Sequence, residues 1–251
     1  MKLNDNNKYF KDWYYKLSGD DRRLNSETTK KEVFSIKKIL NLPKDSKILD
    51  LASGHGRHSL LMADYYQMTA LDNNDEALNK LRVSVRKQKK DIRIVKSDMR
   101  NIPFTDEFDA VIIVFNSFGY FRKDEDNLKV IKSAYRSLKK GGLFLLDLRN
   151  KNMVLKNTMS RGWMREKEMY ILNEYNFSLD EDIEEMKVIV IDQKAKKISE
   201  TGFISKLYSH KKLEALLKKE KFKIVNSYGD LVSLEKYIPS SSRRYVLVAK
   251  K

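Results

Sequence analysis

The sequence predicts an α/β fold in which helices cover both faces of a mostly parallel, doubly wound sheet. The first observation is that short apolar segments alternate with segments of helical period between residues 47 and 149. The second is that "FDAVIIVFN" is almost wholly apolar, as a strand buried on both faces should be. The third is a change after residue 150 to alternating apolar and polar residues, which is typical of an antiparallel sheet.

The elements of the first half follow from their start and stop signals. Ser26 can cap a helix whose apolar stripe includes Val33 and Ile36, and Pro43 closes it. Asn74 can cap a later helix, and the Gly141-Gly142 pair ends another. In chain order we predict a helix at 26–40, a strand at 47–51, a helix at 57–67, a strand at 68–72, a helix at 75–88, strands at 92–98 and 108–116, a helix at about 125–139 and a strand at 143–149.

The second half reads as an inserted sheet followed by the end of the core. The segments "YILNEYNFSL", "EEMKVIVID" and "ISETGFISKLYS" are strands separated by turns at 180–182 and 194–197. A helix at 209–220 and two strands, "FKIVNSYGD" and "RRYVLVAKK", complete a seven-stranded sheet. We therefore expect an N-terminal helical cap (1–45), a core (46–150 and 209–251) and an inserted antiparallel β cap for substrate or dimer contacts (151–208).

Composition narrows the classes of function. The chain of 251 residues is long enough for a full core, and the absence of cysteine excludes disulfides and thiolate chemistry. Three histidines offer few metal ligands, so we expect no metal. The N-terminus "MKLNDNNKYF" lacks the apolar core of a signal peptide, and no apolar run is long enough to span a bilayer, so we expect a cytoplasmic protein without a membrane partner.

The net charge of +16 invites a nucleic-acid partner. The lysines, however, are scattered along helix faces, often beside acids, as in "VRKQKK" and "LLKKEK". Charge of this kind concerns association and solubility rather than chemistry. Nucleic acid is therefore the less favoured partner, although it stays open.

A glycine turn in "LDLASGHGRHS" carries the main functional signal. A strand, a G-x-G turn and a helix form a nucleotide-type site. Ser59 stands where the dinucleotide fingerprint has its third glycine, which disfavours a nicotinamide-dependent oxidoreductase. Asp50, four residues before Gly54, would also repel a phosphate.

Two further acids follow at matching positions. Asp72 ends the second strand, 22 residues after Asp50, and Asp98 ends the third. The carboxyl ends of parallel strands face one crevice, where open sheets bind their ligands. Three carboxylates around one ligand suit a molecule with positive charge and many hydrogen-bond donors. S-adenosylmethionine has an ammonium, a sulfonium, two ribose hydroxyls and an adenine amine.

At this point the sequence resembles the class I S-adenosylmethionine-dependent methyltransferases, which have a Rossmann-like fold. The likeness covers about residues 29–150, and the narrower features "GHGRH", "NSFGYF" and "TTKKEVFSIKKIL" resemble a bacterial and archaeal branch with an inserted antiparallel sheet. The motifs that carry it are "ILDLASGHGRHSLLMA", "TALDNN", "SDMRNIPF", "FDAVIIVFNSFGYF" and "LKKGGLFLLDLRN".

The resemblance implies roles for individual residues. Asp72 would hold the ribose, Asp98 would accept a hydrogen bond from the adenine amine, and Asn116 with Ser117 would lie nearest the methyl group. The turn departs from the usual family pattern at Ala52, Ser53 and His55, which leaves the contribution of His55 open. The full set of implied cofactor residues is Asp50, Ala52, Ser53, Gly54, Gly56, Asp72, Asn73, Asp98, Met99 and Asn116.

The acceptor side is less well defined. Asn116 and Tyr120 are the candidate catalytic residues, as positioning groups rather than bases, and the candidate substrate-binding residues are Tyr14, Phe118, Tyr120 and Arg149. The aromatic N-terminal residues either close over the site or pack on the core; these are Tyr9, Trp13, Tyr14 and Tyr15. His55 and His58 are either bases or locally packed side chains.

The sequence thus predicts in-line methyl transfer to a nitrogen or oxygen of a small molecule or short peptide. An RNA methyltransferase acting on tRNA or rRNA is the alternative, and a non-catalytic module that keeps the cofactor site is a third reading. The protein is expected to be a monomer or a homodimer.

Overall fold

The computed structural model describes Tyr9, residues 26–157 and residues 160–251. Within this part of the chain the helices are α1 (Ser26–Leu40), α2 (Arg57–Met62), α3 (Asp75–Gln88), α4 (Asp124–Ser137), α5 (Lys151–Lys156) and α6 (His210–Lys219). The strands are β1 (Lys47–Leu51), β2 (Gln67–Asp72), β3 (Ile92–Lys96), β4 (Phe108–Ile113), β5 (Leu138–Arg149), β6 (Arg161–Glu166), β7 (Met169–Ser178), β8 (Ile183–Asp192), β9 (Lys197–Lys206), β10 (Lys223–Tyr228) and β11 (Arg244–Lys250).

The predicted fold class is confirmed. A seven-stranded sheet has the order β10-β11-β5-β4-β1-β2-β3, in which β1 to β5 run parallel and β11 runs antiparallel to both of its neighbours. Apolar residues of α4 and α6 pack on one face, whereas those of α1, α2 and α3 pack on the other. The carboxyl ends of β1 to β5 therefore open at one edge, between the two helical layers.

Two predicted helix ends are wrong. α2 stops at Met62 instead of residue 67, because the chain turns at Ala63 and β2 already begins at Gln67. α4 stops at Ser137 instead of the glycine pair, which lies inside β5. The register of β4 and β5 shifts there, and Gly141 has a φ of 83°, so this glycine permits an irregularity in a strand rather than ending a helix.

The inserted region forms a separate four-stranded antiparallel sheet, the cap sheet, with the order β6-β7-β8-β9. The sequence predicts three of these strands; it misses β6, whose residues "RGWMRE" are largely exposed and polar, and it misses α5. The cap sheet is fastened to the core where the Lys206 amide donates to the carbonyl of Gly119 at 2.7 Å. The division of the chain into helical cap, core and insert stays a prediction.

None of the helices within the described residues is long and apolar enough to cross a membrane.

Candidate active site

A large cavity lies between the strand ends of the core and the cap sheet. Its volume is about 1420 Å³, whereas single-ligand pockets are usually roughly 300–1000 Å³. It therefore has room for two ligands side by side. Most of the predicted site residues meet here: Asp50, Ala52, Ser53, Gly54, Asp72, Asn73, Asp98, Met99, Asn116, Tyr120 and Arg149 line the cavity.

The glycine turn is held in an unusual backbone conformation. Ala52 and Gly54 have φ values of 60° and 57°. The amide of Ser53 donates to the carbonyl of Leu71 at 3.1 Å, which ties the turn to the neighbouring strand. The turn thus presents its backbone to the cavity.

Gly56 has a packing role that the sequence does not predict. It is absent from the cavity lining, and a Cβ at this position would lie 2.4 Å from Cδ1 of Leu81 on α3. Its φ is 74°, a conformation that favours glycine. Gly56 therefore permits the close packing of the turn on α3, while its contact with the cofactor stays a prediction.

Asp72 supports the turn as well as facing the cavity. Its Oδ2 accepts from the amide of Gly54 at 2.8 Å, and its Oδ1 accepts from the amide of Asn74 at 2.9 Å. Burial raises the pKa of Asp72, although these hydrogen bonds oppose the rise. Asn73 contributes a third backbone hydrogen bond to this carboxylate, so about one of its roughly four lone-pair sites is left for a ligand.

Asp50 lies beneath the turn. It is 1% exposed, and its Oδ2 accepts from Oγ of Ser59 at 2.6 Å. Burial raises the pKa of Asp50, against the favourable effects of His58 and Ser59. Ser59, which occupies the position of the third glycine of a dinucleotide site, therefore holds the carboxylate of Asp50.

Asp98 has a partner that the sequence analysis missed. Arg100 grips it with two nitrogens, Nε at 3.1 Å from both carboxylate oxygens and Nη2 at 2.6 Å from Oδ2. The guanidinium also stacks over Phe121 at 4.4 Å. Burial alone would raise the pKa of Asp98, but Arg100 outweighs it and lowers the pKa. The sequence feature that could have predicted this pair is Arg100, two residues after Asp98 in "SDMR".

A buried polar network connects α1 with the turn. Oε2 of Glu32 accepts from Nη1 of Arg57 at 2.5 Å and lies 2.9 Å from Nε2 of His58. Burial would raise the pKa of Glu32, but His58 and Arg57 lower it overall. His58 is thus a locally hydrogen-bonded side chain. Burial lowers the pKa of His55, which lines the cavity, to about 4.

Two buried donors of the cavity lining lack a protein partner within the described residues. They are Oγ of Ser53 and Nη2 of Arg57. A buried donor left unsatisfied is unfavourable by about 1–3 kcal/mol. These atoms therefore mark a place where a ligand with hydrogen-bond acceptors fits.

The turn after β4 is fixed by β5. Asn116 has a φ of 65°; its amide donates to the carbonyl of Asp147, and its Oδ1 accepts from the amide of Arg149, both at 2.9 Å. Asn116 thus has a defined orientation in the lining of the cavity.

The cap sheet forms an apolar and aromatic wall. Tyr9 is 9% exposed and packs on Phe203 with ring centroids 5.0 Å apart. Tyr175, Met186 and Val188 line the same side of the cavity. Tyr9 therefore packs over the site on the cap sheet. The rest of the predicted aromatic group, Trp13, Tyr14 and Tyr15, lies outside the described residues.

Two residues predicted to bind the substrate, Phe118 and Arg149, are in contact with other side chains of the protein. Phe118 is 2% exposed and packs against Tyr208, with centroids 5.5 Å apart, so it belongs to the hydrophobic core and not to the cavity lining. Arg149 does line the cavity, but it forms an ion pair with Glu184 of the cap sheet rather than standing free for an anion. Glu184 and Glu32 were missed because each lies far in sequence from its partner.

Comparison with known proteins supports the same class of site. Residues 48–142 match a family model described as a methyltransferase domain. The chain is 34% identical over 110 residues to the putative methyltransferase YqeM of Bacillus subtilis, covering 43% of this chain and 44% of that protein. It is 32% identical over 112 residues to a glycine/sarcosine N-methyltransferase of Aphanothece halophytica, covering 43% and 42%. The matches thus span less than half the length of these curated relatives.

Solved structures extend the likeness to nearly the whole chain. An S-adenosylmethionine-dependent methyltransferase from Clostridium acetobutylicum has a TM-score of 0.79 at 21% identity, covering 94% of this chain and 95% of its own. The amino pentose methyltransferase CalS10 of Micromonospora echinaspora, solved with S-adenosylmethionine bound, has a TM-score of 0.69 at 15% identity, covering 95% and 98%.

The fold and site agree with the predicted class: residues 48–142 carry a methyltransferase domain. The fold is shared with both solved structures, of which one is named for its dependence on S-adenosylmethionine and the other for S-adenosylmethionine bound to it.

Proposed function

We propose that this protein transfers a methyl group to the nitrogen of a small-molecule amine. The observation that carries this proposal is the apolar face of the cap sheet, which lines the cavity together with Asn116 and forms a wall of the part where we expect the acceptor. A small acceptor fits a walled cavity, whereas a folded RNA needs an open basic surface.

The cofactor residues fit S-adenosylmethionine. The orphaned donors of Ser53 and Arg57 suit the carboxylate of its amino-acid part. The spare lone-pair site of Asp72 suits a ribose hydroxyl. Met99 suits the adenine, whose amine would share a carboxylate oxygen of Asp98 with Arg100. When bound, the cofactor supplies an electrophilic methyl group on a sulfonium.

The protein's own residues position the acceptor and exclude water. Asn116 is held by the backbone of Arg149, and the aromatic wall of Tyr9 and Phe203 keeps the acceptor half apolar. Alignment of the reacting atoms at about 3 Å is the main requirement for this reaction.

The absence of a strong base among the groups described above favours nitrogen over oxygen. An oxygen acceptor needs a general base, whereas an amine has only to be neutral. His55, with its pKa of about 4, is a weak base, and Glu184 is already paired with Arg149. The relatives named for methylation of glycine and sarcosine, and of an amino pentose, act on acceptors that bear an amine.

The positive net charge of the chain supports an RNA substrate less strongly than the walls of the cavity support a small-molecule acceptor. Several cationic residues of the cavity are neutralised by acids; these pairs are Arg100 with Asp98, Arg149 with Glu184 and Arg122 with Glu185. Paired arginines are poor phosphate ligands, because the phosphate would have to displace a carboxylate.

Calorimetry and a product assay test the proposal in sequence. We expect S-adenosylmethionine and S-adenosylhomocysteine to bind; failure of both would refute the cofactor assignment. Mass spectrometry should then detect methylation in a panel of glycine, sarcosine, D-glucosamine, a tripeptide with a free amino terminus, D-glucose and bulk tRNA. Methylation of one of the small amines supports the proposal, whereas exclusive methylation of glucose, the peptide or tRNA would refute it.

A further inference from the structure

One buried carboxylate of the cavity has no place in cofactor binding. Glu184 lies on β8, its side chain is 4% exposed, and it lines the cavity on the same face as Met186 and Val188. We propose that Glu184 binds the acceptor amine and makes the site select nitrogen acceptors, an inference that rests on the proposed function.

Arg149 connects this carboxylate with the methyl-transfer position. Its backbone amide donates to Oδ1 of Asn116 at 2.9 Å, and its guanidinium forms the ion pair with Glu184. A single residue at the end of β5 therefore holds Asn116 from one side and Glu184 from the other. The Glu184 carboxylate therefore lies about one arginine side chain away from the backbone amide that holds Asn116.

Glu184 keeps capacity for a ligand. Nη1 of Arg149 donates to Oε1 at 3.3 Å, and Nη2 donates to Oε2. A carboxylate offers about four lone-pair sites, so about two of them remain after Arg149 is bound. An amine N–H donated to one of them would turn the nitrogen lone pair towards the methyl group.

The surroundings favour an amine over a neutral acceptor. In the transfer step the N–C bond forms as the S–C bond breaks, the sulfur keeps the bonding electrons, and the positive charge passes from sulfur to nitrogen. A carboxylate fixed beside the nitrogen stabilises that developing charge. The aromatic rings of Tyr9, Tyr175 and Phe203 line the same space, and their faces attract cations.

A purely structural role for the pair has less support. The cap sheet is already fastened to the core by other ion pairs, such as Arg122 with Glu185 and Lys151 with Asp182. A buried ion pair seldom adds stability over an apolar replacement. The burial of Glu184 inside the cavity is therefore better explained by ligand binding.

The test uses sinefungin, an analogue of S-adenosylmethionine in which a primary amine occupies the place of the methyl group. This probe puts an ammonium at the transfer position without requiring the acceptor to be known. We would measure its affinity and that of S-adenosylhomocysteine by calorimetry for the wild type, Glu184→Gln and Glu185→Gln. Glu185 is the matched control, because it is the next residue and pairs with Arg122.

We expect Glu184→Gln to lower sinefungin affinity by about threefold or more relative to S-adenosylhomocysteine, because the ammonium loses the longer-range attraction of a buried carboxylate. Glu185→Gln should leave the ratio of the two affinities unchanged. An unchanged ratio in Glu184→Gln would overturn the inference while leaving the proposed function intact. If the wild type does not bind S-adenosylhomocysteine, that result would instead overturn the proposed function.

A charge reversal, Arg149→Glu with Glu184→Arg, covers the case in which Glu184→Gln does not fold. The reversed pair should regain thermal stability but lose the preference for sinefungin, because the acidic group has moved to the other side of the pair. Glu184→Asp should keep part of the preference. Recovery of the full preference in the reversed pair would show that Glu184 acts only as a structural partner of Arg149, and would overturn the inference.

Discussion

The substitution Asp72→Ala should reduce both cofactor affinity and stability, because this carboxylate has two tasks. It faces the cavity where the ribose is expected, and it accepts the amides of Gly54 and Asn74 at 2.8 and 2.9 Å. The alanine variant therefore removes a ligand contact and releases the glycine turn at the same time.

The magnitudes follow from the contacts. Loss of charged hydrogen bonds to the ribose hydroxyls should weaken binding by about 1.5–3 kcal/mol, or roughly 10- to 100-fold. Loss of the two backbone bonds should reduce the free energy of unfolding by about 2 kcal/mol, because water in the cavity can replace part of each bond. Burial raises the pKa of Asp72, so removal of its charge offsets some of that loss. A decrease in Tm of about 4–8 °C is expected for a chain of this size.

Calorimetry with S-adenosylhomocysteine and with its 2′-deoxy analogue separates the two tasks. The wild type should prefer the ribose form, and Asp72→Ala should lose that preference. Asp91→Ala, which changes an exposed acid immediately before β3, is the control. Equal ribose preference in the variant and the wild type would refute the ligand role, and an unchanged Tm would refute the support of the turn.

Three further substitutions test other parts of the site. Urea denaturation should show that Phe118→Ala lowers the free energy of unfolding by about 3–5 kcal/mol, because core packing near Tyr208 is lost. Calorimetry should find the affinity of this variant for S-adenosylhomocysteine unchanged. Gly56→Ala should destabilise by about 2–4 kcal/mol, and the second change Leu81→Ala should reverse part of that effect in thermal unfolding, since Cδ1 of Leu81 occupies the space. His55→Thr should remove an acid sensitivity: because the pKa of His55 is about 4 in the folded protein and about 6.5 unfolded, the unfolded chain binds the proton first and the wild type loses stability as pH falls from 6.5 to 4. Parallel pH profiles of Tm for the variant and the wild type would contradict this.

The parallel core could be predicted because its signals are local. Apolar strands and capped helices follow one another closely, and the residues of α1, β1 and α3 are those expected. The errors occur where tertiary pairing decides an element. β5 starts early because Leu138 pairs with Phe108, and β6 is a strand because Trp163 pairs with Leu172. Neither pairing leaves a periodic pattern in the sequence.

In the candidate site, the positions of the residues could be predicted from the sequence, but their side-chain partners could not. Position along a strand predicts that Asp50, Asp72 and Asp98 face one crevice, since all three follow from the topology of a parallel sheet. It does not predict that each acid has a different partner. The long-range pair of Glu184 with Arg149 could not be read from spacing, because 35 residues separate them.

The turn after β4 shows that a residue outside the cavity lining can hold residues that line the cavity. Phe115 and Asn116 have φ values of 59° and 65°, a conformation that is unfavourable by about 1–3 kcal/mol for each residue. Asp147, which is 2% exposed, offsets this strain: its Oδ2 accepts from the amide of Phe115 and its carbonyl accepts from the amide of Asn116, both at 2.9 Å. Arg244 in turn holds the Asp147 carboxylate through Nε. The orientation of Asn116 therefore depends on a buried ion pair between β5 and β11, so these two neighbouring strands also fix the residue that we propose to lie nearest the transferred methyl.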